Sequence, residues 1–129
     1  MKLTGVLLTL MRIAGTVQII LGIGFWTGHW YVAVPVHETN GILYVCLLWA
    51  LAVIALVQRR ALGLALFAIL WGFAVAVLGF TQQRILAGSD WHWAVRVVHL
   101  AIGIAALPIG ERLTAGWRAK RTAVVVTPA

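Results

Sequence analysis

Four long apolar runs, separated by short breaks of polar residues and glycine, organise this chain: residues 3–26, 35–57, 61–86 and 91–110. Each is long enough to cross a hydrocarbon core about 30 Å thick, which takes roughly 20 helical residues. Lipid cannot hydrogen-bond an exposed backbone, and four strands are too few to close a barrel, so the runs read as helices. Short breaks place sequential helices antiparallel. The pattern therefore predicts an all-α, integral membrane four-helix bundle, up-down-up-down, over residues 1–111, followed by a basic tail over 112–129.

Composition agrees: 63% of the 129 residues are apolar and 10% are charged, against roughly 25% charged in soluble domains. The net charge of +7 would suggest nucleic acid in a soluble protein, but here the basic residues are scattered between apolar runs and form no aromatic-basic surface. They serve better as topology signals. Lys2, Arg59, Arg60, Arg112, Arg118, Lys120 and Arg121 flank one side of the spans, Arg84 alone flanks the other, and Arg12 and Arg96 fall within spans. The positive-inside rule then places both termini and the second loop in the cytoplasm. Trp26, Trp30, Tyr31, Trp91 and Trp93 gather at the opposite, outer end, as an interfacial aromatic belt does.

The N-terminal lysine and apolar run are similar to a signal peptide, but no A-x-A site follows, which predicts an uncleaved first span. The tail lies near the anionic leaflet, and its end, "AVVVTPA", is too short to span and is expected to be disordered. Cys46 is alone, so no intrachain disulfide forms, and a buried apolar role is expected for it. Arg12 is expected to snorkel to the cytoplasmic face. Gln18, Gln82 and Gln83 read as interhelical hydrogen-bonding groups.

Polar residues inside the runs fall on stripes. On the fourth, His92, Arg96, His99, Gly103, Ala106 and Gly110 follow spacings of three and four, which stack them on one helical face. The second run has His37, Gly41, Tyr44 and Leu48 in the same pattern, the first Arg12, Gly15, Ile19, Gly22, Trp26 and His29, and the third Gly72, Ala76, Gly79 and Gln83. Small residues allow close helix packing in lipid. All four histidines lie in the outer half. His29 and His92, beside tryptophan, suit a solvated interface, whereas His99 lies roughly 10 Å deeper than His92 at 1.5 Å per residue. Ionisable groups inside spans mark functional sites.

A b-type haem needs axial imidazoles from facing helices, an apolar slot and cations for its propionates. His37 and His99 are the preferred pair, with His29 and His92 as alternates. Arg96 and Arg84 are candidates for the propionates. Tyr44, Gly41, Gly103 and Trp26 would line the ring, and Asn40 or Thr39 would fix the His37 tautomer. The depths of His37 and His99 differ, so joining them needs either helix tilt or a re-entrant start to the second helix, which Pro35, suited to a helix's first turn, permits. A competing use is zinc or copper, held by outer histidines with Glu38 and Asp90. "HETNG" lacks the second histidine of H-E-x-x-H, which excludes a zinc-protease motif. With three acidic residues in all, a carboxylate pair for hydrolysis is not expected.

His37 in "VPVHETNG" and His99 in "VRVVHLAIG", set in four spans, resemble the small four-helix membrane cytochromes b of bacteria. That resemblance implies haem ligation at those two positions and electron transfer rather than an enzyme's own chemistry, passing electrons to a quinone or a partner subunit. The opening "MRIAGTVQIILGIGFWTGH" is similar to the first helix of DoxX-like four-helix membrane proteins, a resemblance that implies no haem. Two cofactor-free alternatives stand beside it: an accessory subunit that binds partner helices or further copies of itself through glycine faces, and a small transporter with Arg96 and His99 in a polar path.

Overall fold

The computed structural model describes residues 2–125, and side chains over residues 3–115. It consists of α1 (Lys2–Trp26), a 3-10 turn (Tyr31–Ala33), α2 (Val34–Val57), α3 (Leu62–Thr81) and α4 (His92–Val125). All four α-helices are long and apolar enough to cross a membrane, and the chain is a multi-pass membrane protein. Its outer surface fits that setting. On α3, Leu66, Leu70, Phe73, Val77 and Phe80 recur at helical spacing, and all are exposed. So much continuous apolar surface needs hydrocarbon rather than water around it.

Helix ends follow local chemistry. α1 stops where Gly28 takes φ 81, and the Gly28 and His29 amides return to the carbonyls of Phe25 and Gly24 at 3.1 and 2.8 Å. This is a Schellman cap, for which glycine supplies the left-handed residue. α2 ends in the same way with Arg59 at φ 52: the Arg59 and Arg60 amides reach Leu56 and Ala55. A residue with a Cβ in that conformation costs about 1 kcal/mol, so this turn is less relaxed than the first. Pro35 sits in the first turn of α2, where its missing N–H would have had no helical acceptor.

Two boundaries differ from the sequence expectation. The third span ends at Thr81 rather than 86, because the polar Gln82–Gln83–Arg84 segment leaves the helix in successive turns, with the Arg84 amide on the Thr81 carbonyl at 2.8 Å. The fourth helix runs on past 110 to Val125, since nothing between Glu111 and Val125 breaks it. The segment expected to be a tail therefore begins as helix, and residues 126–129 lie outside the described residues.

Helix pairs are zipped by glycine and aromatic contacts. Gly15 faces Tyr44, Gly41 faces Gln18, and Gly22 faces His37, so α1 and α2 run antiparallel. Gly72 receives the Trp49 indole, whose Nε1 donates to the Ile69 carbonyl at 3.1 Å. Trp71 Nε1 donates across to the Ile102 carbonyl of α4 at 2.9 Å. Each indole N–H has thus found a carbonyl, as a donor buried in an apolar medium must. The core sits away from the aromatic end, around the fully buried Met11, Leu48 and Leu51 with Ala52, Ala55, Ala65 and Ala68. Gly110 packs on Met11 and Leu51. Cys46 is exposed, not buried, because it shares the outward stripe of Ile42 and Val53 on α2.

Candidate functional site

The rings of His37 and His99 meet inside the bundle, their centroids 6.5 Å apart and their planes tilted by 56°. The difficulty of depth is removed by the helix starts. The 3-10 turn and Pro35 lie at the exposed start of α2 rather than inside the bundle, and the first turn of α2 carries His37 to the level of His99. Meanwhile α4 begins seven residues earlier, and His92–Val98 rises about 10 Å beyond the pair.

All four helices contribute at this level. Gly22 of α1 lies against His37 Cε1, where an added Cβ would sit 3.9 Å away, and Gly79 of α3 lies against His99 Cε1 at 3.4 Å. Phe25 meets His37 edge to face at 5.2 Å and stacks at 6.4 Å on Tyr31. The Nδ1 atoms of both histidines are buried and have no hydrogen-bond partner. Each such orphan costs about 1–3 kcal/mol. Two of them side by side make an unusual place in a membrane helix bundle.

The spacing bears on what could lie between the rings. Metal–imidazole bonds of roughly 2.0–2.1 Å on opposite sides of one ion put the two ring centroids about 6 Å apart. The observed separation is close to that. Glycines on the flanking helices bring the backbones of α1 and α3 against the two rings. Donor set, spacing and small neighbours therefore fit a haem held by two imidazoles. A closed zinc or copper cluster is less well provided, because among the described residues no three His, Cys, Asp or Glu side chains gather. Glu38 and Asp90 are both exposed.

The remaining candidate residues divide clearly. Arg96, one turn above His99, is exposed, and Arg84 is exposed in the turns between α3 and α4. Tyr44 is buried, but its hydroxyl donates to the Gly103 carbonyl at 3.1 Å and its ring packs on Gly15. Pro108, five residues further along α4, leaves the neighbouring Ile104 carbonyl without its helical N–H. Tyr44 thus ties α2 to α4 below the histidines. Gly41 is covered by Gln18, and Gly103 serves through its carbonyl.

Several expected partners are committed elsewhere. Asn40 Nδ2 donates to Ala14 O and Gln18 Oε1, both at 2.9 Å, and Thr39 Oγ1 donates to Pro35 O, so neither fixes the His37 tautomer. Of the glutamines, Gln18 forms the expected interhelical bond, whereas Gln82 and Gln83 lie beyond α3. Trp26 is 48% exposed and lines nothing. The alternates are occupied too: His29 Nδ1 lies 3.3 Å from Thr27 Oγ1 and His92 Nδ1 lies 3.0 Å from Ile85 O. Arg12 does not extend freely to the membrane face but forms an ion pair with Glu111. No local pattern signals that pair, since the partners are 99 positions apart. The glycines at 15, 22, 41, 72, 79 and 110 all face neighbours within the chain.

No family model matches the chain, and neither a curated protein nor a solved structure does.

Proposed function

We propose that this chain is a membrane b-type haem-binding protein that carries electrons near the outer leaflet of a bacterial inner membrane. The observation that carries the reading is the approach of two half-buried imidazoles from α2 and α4, each with a buried and unpartnered Nδ1. When bound, the haem supplies reversible one-electron chemistry. His37 and His99 would hold the iron by one nitrogen each. Gly22 and Gly79 let α1 and α3 approach the rings closely, and Phe25 packs edge to face on the His37 side. Arg96 and Arg84 stand above the pair as counter-charges for the propionates. The distribution of Lys and Arg favours cytoplasmic termini, with electrons passing at the outer surface to a quinone or a partner subunit.

The test is a reduced-minus-oxidised absorption spectrum of detergent-purified protein expressed with ample haem. A Soret band and sharp reduced bands are expected for the wild type. His37→Ala and His99→Ala should each lose them while keeping their helical content. A well-folded but colourless wild type would sink the reading and favour a cofactor-free accessory or transport role.

A further inference from the structure

The opposite end of the bundle holds the second concentration of polar groups. A groove of about 360 Å³ between α1 and α4 is lined by Arg12, Pro108, Glu111, Arg112 and Ala115. Along the helices it lies about 15–18 Å from the histidine pair, ten residues before Gly22 and twelve beyond His99. We infer that this groove binds the phosphate of an anionic membrane lipid, with Arg112 as its main donor and Arg12 as the second.

Three observations converge. The first is charge: Arg12 Nε and Nη2 both donate to Glu111 Oε1, which leaves Arg112 as the uncompensated cation of the groove among the described residues. A guanidinium presents a planar fork of donors that matches phosphate oxygens. The second is depth. The fourth apolar run closes at residue 110 in the sequence, so Glu111 and Arg112 stand at its end, where arginine reaches the headgroups while its stem stays in apolar surroundings. The third is shape. Pro108 and Ala115 project little, and a shallow apolar floor beside two guanidiniums suits a glycerol backbone below a phosphate. Basic pockets between membrane helices bind lipid headgroups in this way.

Glu111 sharpens the inference, because it competes with any phosphate for Arg12. Its neutralisation should therefore strengthen binding, opposite in sign to the loss of Arg112. The full chain would be reconstituted in vesicles of equimolar phosphatidylcholine and phosphatidylglycerol, and lipid retained on detergent release would be read by native mass spectrometry. One phosphatidylglycerol should stay with the wild type. Arg112→Gln should lower its retention by roughly tenfold, the scale of one charge-assisted hydrogen bond. Arg112→Lys should keep part of it, and Glu111→Gln should raise it. Replacing Arg118, Lys120 and Arg121 together by Gln should leave that one lipid in place.

Unchanged retention in Arg112→Gln overturns the site, as does its loss in the triple variant alone. Inorganic phosphate that displaces the lipid at millimolar concentration would identify a free anion as the ligand and overturn the lipid assignment. Circular dichroism on each variant separates lost binding from lost fold. None of these outcomes depends on whether the histidine pair holds a haem.

Discussion

The two polar ends of this bundle treat their side chains in opposite ways. At the Arg12–Glu111 end, cation and carboxylate find each other and remain 47% and 41% exposed. At the His37–His99 end, the rings are packed inside, and neither buried Nδ1 has a partner. The first arrangement is complete in itself. The second is incomplete, and an orphaned polar group is costly where neither water nor protein satisfies it. Two such groups at one level, flanked by glycines, are what the proposed haem would complete.

This contrast can be broken most directly at Gly79. A Cβ there already lies 3.4 Å from His99 Cε1, so the remaining atoms of leucine must displace the ring. Gly79→Leu should cost about 1–3 kcal/mol as an overpacked site and remove most of the haem absorbance. Gly63→Leu is the control, since nothing lies within 4 Å of its Cβ position. It should keep the spectrum. Denaturation in SDS, followed by far-UV circular dichroism together with the Soret band, measures both quantities.

A smaller effect is expected at Tyr44, which separates support of the site from contact with the cofactor. Tyr44→Phe removes the bond to the Gly103 carbonyl and should lower stability by about 1 kcal/mol, with absorption maxima unchanged. A moved Soret band would mean that the phenol touches the haem after all. The smallest effect belongs to the other end. A double-mutant cycle of Arg12→Ala and Glu111→Ala should give a coupling of about 0.2–1 kcal/mol, because both partners are half-exposed and screened. Added salt should reduce it further.

Much of this architecture was legible in the sequence. Apolar length alone located four helices, and spacings of three and four put His37 and His99 on inward stripes. The stripes could not say which helix stands opposite, nor at what height. That is why Asn40 looked free to hold His37, although α1 had placed Gln18 and the Ala14 carbonyl beside it. Tyr44 looked like a ring-lining residue for the same reason: the carbonyl it serves lies on another helix, near a proline. Boundaries failed where polarity changed gradually, as at Thr81. The roles of Trp49 and Trp71 were not legible at all, because an indole donor's acceptor is fixed only by packing.

The brevity of α3 has a mechanical consequence. With 20 residues it measures about 30 Å at 1.5 Å per residue, the thickness of the hydrocarbon layer itself. α1, with 25, has slack that leaning can absorb, whereas α3 must stand nearly upright. A thicker bilayer would draw Gln82, Gln83 and Arg84 towards oil on that side, while a thinner one is met simply by inclining the whole bundle. The molecule is therefore suited to thin membranes, and its shortest helix limits how thick its surroundings can become.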